Sequence, residues 1–177
     1  MNTYQTKFRA YVKLGYDIVC VNYRGSVGFG ADFVRQLPGY VGTRDVSDCL
    51  AALDYAKAKK DYANLFVFGG SHGGFLTAWI TASGRHFAAC AIRNPVVNLN
   101  SMYAVTDIPG KPKINLNILK QYWKKDWCFY EMSGEQFKPG HVLTDEQLAK
   151  SRKMSPISQV HQVTTPTLMN IGTEDKR

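Results

Sequence analysis

No stretch of eighteen apolar residues occurs in this sequence, which excludes a membrane-spanning helix within it. Its first residues, Met1 to Lys7, lack the charged-then-apolar layout of a signal peptide. Cysteine is scarce and unpatterned. Cys20, Cys49, Cys90 and Cys128 form no CxxC pair, and three of them sit in apolar strand or helix patterns. Buried free thiols in a reducing, cytoplasmic compartment are therefore expected, with neither disulfides nor a metal site. Acidic residues are also few, 14 against 22 basic ones, for a net charge of +8. That excess is local. Residues 110–125 hold five lysines and no acid, so they supply +5 of the +8. Without a basic stripe elsewhere, neither nucleic acid nor a membrane surface is an expected partner. Repeats and low-complexity tracts are absent, and 177 residues suit one domain with a real core.

Short apolar strands alternate with helical patterns along the chain. Residues 1–15 read as the end of a helix stopped by Gly15, and Tyr16–Tyr23 as a strand buried on both faces of a parallel sheet. A Gly-punctuated loop, Arg24–Gly30, follows. Residues 43–60 place Val46, Cys49, Leu50, Leu53 and Ala56 at helical spacing, with Thr43 as cap. Strands are expected at Leu65–Phe68, Phe87–Ile92 and Thr167–Ile171, and a helix after Ser71 to about Ser83-Gly84. Residues 96–155 are less regular, helical in pieces such as 144–152. The pattern predicts an α/β fold with a mostly parallel sheet and helices on both faces. Such sheets carry their chemistry at the carboxyl ends of the strands. Ser71, Arg93-Asn94-Pro95 and Asp175 all follow strands directly.

The most informative run is Phe66-Val67-Phe68-Gly69-Gly70-Ser71-His72-Gly73-Gly74-Phe75. An apolar strand enters Gly-x-Ser-x-Gly and leaves into a helix, the context of a nucleophile elbow. Gly69 and Gly73, two before and two after Ser71, are expected where a Cβ would collide with the opposing backbone. A phosphate-cradling turn is disfavoured, because the Walker lysine and the Gly-x-Gly-x-x-Gly spacing are both missing. Ser71 is thus the candidate nucleophile. In the α/β-hydrolase order an acid follows the serine and a histidine follows the acid. Asp175, in the loop after the last strand, is the candidate acid; a plain turn aspartate after Gly172 is the alternative. No histidine follows it. His72 is expected to point away from Ser71 Oγ and to offer its backbone N–H to an oxyanion hole. His86 precedes a strand and is expected at the surface; His141 and His161 precede the acid in chain order, which favours surface residues over the alternative of a base.

Several motifs together resemble one known family. They are Asn22-Tyr23-Arg24-Gly25-Ser26, Gly28-Phe29-Gly30, Gly69 to Phe75, Arg93-Asn94-Pro95-Val96, Thr106-Asp107-Ile108-Pro109, Asp126-Trp127-Cys128, Met154-Ser155-Pro156-Ile157 and Gly172-Thr173-Glu174-Asp175. These are similar to the prolyl oligopeptidase family of serine peptidases, in its acylaminoacyl-peptidase branch. The resemblance implies an α/β-hydrolase catalytic domain, truncated at both ends, and no cofactor. It implies Ser71 as nucleophile, Asp175 as triad acid and release of N-acylated amino acids from short blocked peptides. It further implies a cytosolic enzyme that self-associates when full length. The family's β-propeller, its His-Gly-Gly-Pro turn and its triad histidine have no counterpart in residues 1–177, so the isolated chain is expected to be inactive. Residues 110–125 interrupt the match as a basic insertion, either a gene-model error such as an unspliced intron or a genuine surface loop. A transcript encoding Lys113–Lys125 throughout would decide for the loop. An esterase or lipase on the same fold and a non-catalytic fragment are the alternatives to a peptidase.

Overall fold

The computed structural model describes residues 6–106, 126–138 and 140–172. The segment 110–125, expected to be an insertion, and the candidate acid Asp175 lie outside them. In chain order the elements are α1 (Thr6–Lys13), α2 (Ala31–Val34), α3 (Arg44–Lys59), β1 (Phe66–Gly70), α4 (His72–Thr81), β2 (Ala89–Arg93), α5 (Leu99–Val105), α6 (Asp126–Ser133), α7 (Asp145–Met154), a 3-10 helix (Pro156–Gln162) and β3 (Thr167–Asn170).

The three strands form one parallel sheet in the order β1-β2-β3. Phe66 stands opposite Ala89 and Gly70 opposite Arg93, while Cys90 pairs with Thr167 and Arg93 with Asn170. This register levels the carboxyl ends of all three strands along one edge. Side chains alternate across the sheet, so Val67, Gly69, Cys90 and Ile92 share the face covered by α4. On the other face Tyr11 of α1 lies 5.6 Å from Phe68, and Tyr16 lies 6.0 Å from Phe66.

Apolar residues surround nearly the whole of α4, the pattern of a helix buried on all sides. Phe75, Leu76 and Ile80 join Val41, Val46, Phe87, Leu99, Tyr103, Phe129, Met132 and Met154 in one core. The indole N–H of Trp79 donates to the Met154 carbonyl at 3.1 Å, pinning α4 to the end of α7. Helix α7 starts with a capping box in which Thr144 and Gln147 satisfy each other's amides.

Ser155 is wholly buried; its hydroxyl donates to the Ser151 carbonyl at 2.7 Å and accepts from Leu99 N–H at 2.9 Å. The bond fixes the start of α5, which Asn98 caps by accepting from Asn100 and Ser101 amides. Ser155→Ala strands the buried Leu99 donor and is expected to cost about 1–3 kcal/mol. Urea unfolding measures this, and a loss below about 0.5 kcal/mol would contradict it.

Two expectations fail. Residues 16–23 belong to no strand, and Val19 is 54% exposed. Their apolar run suits a sheet, but a strand exists only through the ladder to a neighbour, and no described strand lies beside them. Thr43 does precede α3, yet its hydroxyl donates to the Tyr40 carbonyl and caps no helical amide.

Candidate active site

Ser71 occupies the single-residue turn between β1 and α4. Its backbone stands at φ +56° and ψ −121°, a region that a residue with a side chain rarely visits and that costs about 1–3 kcal/mol. The surroundings enforce it. Ser71 N–H donates to the Arg93 carbonyl at 2.9 Å, continuing the β1–β2 ladder one residue past the strand, and the Ser71 carbonyl accepts from Phe75 N–H at 3.0 Å as the first bond of α4. The strand thus turns into the helix within one residue, leaving Ser71 exposed at the carboxyl edge of the sheet.

A turn this tight brings two backbones into contact. A Cβ on Gly69 would lie 2.1 Å from the Gly73 carbonyl oxygen and 2.9 Å from Gly73 Cα. Gly69 therefore has the role expected of it. Gly73 does not, since a Cβ there meets nothing within 4 Å. The crowded position is its neighbour Gly74, where a Cβ would stand 3.0 Å from both Ile92 Cγ2 and Pro95 Cβ. Gly73 presents its own backbone to Gly69, so the absent side chain that matters is on Gly69.

Ser71 opens onto a cleft of about 320 Å³, walled by Arg93 at the end of β2 and the loop 94–97 that follows it, Met102 of α5, Trp127 of α6, and Met169, Ile171 and Gly172 at the end of β3. The wall is largely apolar. Trp127 is the one aromatic of Phe75, Trp79, Trp127 and Phe129 that lines it; Phe75 and Phe129 are core. Asn94 sits at φ +42°. Its N–H donates to the Asn170 carbonyl, and its Oδ1 accepts from Gly172 N–H, both at 2.9 Å. The loop after β2 thereby holds the start of the segment leading to Asp175. Asn94→Ala removes that acceptor and is expected to lower activity about tenfold, with thermal stability changed by less than about 1 kcal/mol. Unchanged kinetics in this variant would contradict the tie.

His72 begins α4, and its ring turns to a buried carboxylate, with Nε2 3.2 Å from Asp45 Oδ2. Asp45 is 0% exposed and was not singled out in the sequence, where it reads as an ordinary first-turn acid of α3. His141 is engaged elsewhere, with Nε2 3.1 Å from Gln147 Oε1. Arg24 binds Asp48 through Nε, Nη2 and its own N–H at 2.7–3.0 Å, which locks the Asn-Tyr-Arg-Gly turn. Among the described residues no group of three His, Cys, Asp or Glu could hold a metal, the four cysteines are free, and no helix is long and apolar enough to cross a membrane.

A parallel sheet with a strained serine between strand and helix, above an apolar cleft at the strand ends, defines an α/β-hydrolase. The chain belongs to the prolyl oligopeptidase family, which it matches over residues 2–177. It is 42% identical over 167 residues to the acylamino-acid-releasing enzyme of Arabidopsis thaliana, covering 93% of this chain and 20% of that one. Its fold is that of a Pyrococcus horikoshii acylaminoacyl peptidase, with a TM-score of 0.76 at 23% identity over 98% of this chain and 25% of the other. An acylaminoacyl peptidase in complex with Z-Gly-Gly-Phe-chloromethyl ketone superposes with a TM-score of 0.67 at 24% identity, over 89% and 22% of the two chains. The chain spans about a fifth of the length of the curated relatives it matches.

Proposed function

We propose that this chain carries the nucleophile of a serine peptidase that releases N-acylated amino acids from the blocked ends of short peptides. The observation that carries the reading is Ser71 itself, held at φ +56° at the mouth of an apolar cleft. Ser71 Oγ attacks the carbonyl joining the acylated residue to the rest of the peptide, giving a tetrahedral oxyanion. Ser71 makes no side-chain cap to α4, and the first amides of a helix have no intrahelical acceptor. The His72 N–H is therefore available to the oxyanion, with the positive end of the helix dipole behind it.

A histidine base takes the Ser71 proton and returns it to the leaving amine, and Asp175 orients that base. Neither His72 nor His141 serves, because their rings are committed to Asp45 and Gln147. The acylated residue fits the cleft between Met102, Trp127 and Met169, a lining suited to an apolar side chain and a small acyl group. The relatives' name, acylamino-acid-releasing enzyme, supports this substrate class. The four free cysteines support a reducing cytosolic setting.

Hydrolysis of acetylalanyl anilide against a simple acetyl ester tests the reading. Cleavage of the anilide is expected. Turnover of the ester alone would make this an esterase, and turnover of neither by the full-length protein would make it non-catalytic.

A further inference from the structure

The first residue of α4 is anchored through its side chain as well as its backbone. His72 lies between two rings, 5.1 Å from Phe75 in a stacked arrangement and 5.6 Å from Tyr23. This leaves the imidazole one in-plane partner, the Asp45 carboxylate at 3.2 Å. A carboxylate only accepts, so the hydrogen of this contact is carried by Nε2. Asp45 is held in turn: its Oδ1 accepts from Val46 N–H at 3.0 Å, and it lies in the first turn of α3, where the helix dipole favours negative charge.

A wholly buried carboxylate is costly unless it is paired. Among the other groups around it the Arg24 guanidinium is a cation that acts on Asp45 through space, but its hydrogen bonds go to Asp48. Glu131 of α6 is pushed up by burial and by Asp45, and drawn down by His72. Tyr23 and Cys49 are each pushed up to about 12, by burial first and then by Asp45. The imidazole N–H is thus the one side-chain hydrogen bond that Asp45 makes among the described residues. This buried contact does nothing for the packing that an apolar pair would not do better. It does fix one thing, the rotation of residue 72 about the start of α4.

We propose that Asp45 is a positioning residue: by holding the His72 imidazole it sets the aim of the His72 N–H at the oxyanion. The proposal rests on Ser71 being the nucleophile. An oxyanion donor removed outright costs about 10²–10³ in rate, and a donor misplaced by about 1 Å costs up to about 10². Asp45→Leu, which has a similar shape and no acceptor, is accordingly expected in the full-length enzyme to lower kcat about 10–100-fold with KM within about twofold. The affinity of a peptide aldehyde, which forms the tetrahedral adduct, falls in parallel, while that of the acylated amino acid product is unchanged.

His72→Phe keeps an aromatic ring against Tyr23 and Phe75, removes the anchor and is expected to match Asp45→Leu. Wild-type kcat and aldehyde affinity in either variant would overturn the proposal, as would equal losses for aldehyde and product. A wild-type readout covers the case in which neither variant folds. The His72 ring N–H should be visible by NMR as a slowly exchanging proton, and a fast-exchanging one contradicts the anchor. Failure of the underlying reading is distinguishable, because an unmutated enzyme with no reactive Ser71 would show no covalent labelling at all.

Discussion

Ser71→Ala is expected to abolish anilide hydrolysis by the full-length protein, lowering kcat by about 10⁴–10⁶ while leaving KM within a few-fold. The effect is this large because nucleophile, base and acid act as a unit. Once the oxygen that forms the acyl-enzyme is gone, the oriented base has nothing to deprotonate. What survives is the binding cleft and the oxyanion donors, which alone supply a residual about 10³–10⁴ over water. The substitution is expected to leave stability nearly untouched, because the Ser71 side chain makes no capping hydrogen bond to α4. A kcat loss below tenfold would mean that another group attacks the substrate. A matching fall in stability would mean that the serine is structural.

Gly69→Ala is the second large effect, and it is steric. The added methyl would stand 2.1 Å from Gly73 O and 2.3 Å from Gly73 C, both backbone atoms at the start of α4. Neither can move alone. Gly73 O accepts from the Thr77 hydroxyl at 2.8 Å, and α4 is wedged against Ile92 and Pro95 at Gly74. Relief therefore requires moving α4 away from β1, which opens the core around Phe75. The expected cost is at least about 3 kcal/mol, in the range of severe core overpacking. Covalent labelling of Ser71 is lost with it, because the elbow cannot close. Gly73→Ala, by contrast, finds open space and is expected to be tolerated in the fold, with a gain of up to about 1 kcal/mol from the better helix propensity of alanine. Equal stability of the two variants would refute the assignment of the close approach to Gly69.

The legible parts of this molecule are the ones its local sequence determines. The β1–Ser71–α4 unit is encoded in one uninterrupted stretch, Phe66 to Thr81, an apolar strand, a serine flanked by glycines and a helix, so its outline could be read directly. The strands at 89–93 and 167–170 were marked by apolar runs ending at Asn94-Pro95 and beginning after Pro166. Tyr16–Tyr23 carries the same signal and forms no strand, because pairing depends on a neighbour that a local pattern does not specify.

The parts that escaped are contacts between distant positions. Asn94 binds Gly172 across 78 residues, and its one local trace is an asparagine at a turn that needs positive φ. The Asp45–His72 pair spans 27 residues. Nothing near Asp45 separates it from the first-turn acids of ordinary helices, whose carboxylates face water. Gly73 misled for a related reason: the motif spacing marks a close approach without saying which of its glycines lacks the room.

The most direct measurement is to label the full-length protein with a fluorophosphonate and to locate the adduct by peptide mass spectrometry. A single adduct on Ser71, blocked by prior incubation with an acylated peptide aldehyde, is the predicted result. No adduct, or one on a different serine, would contradict the assignment of Ser71 as the nucleophile and the peptidase reading built on it.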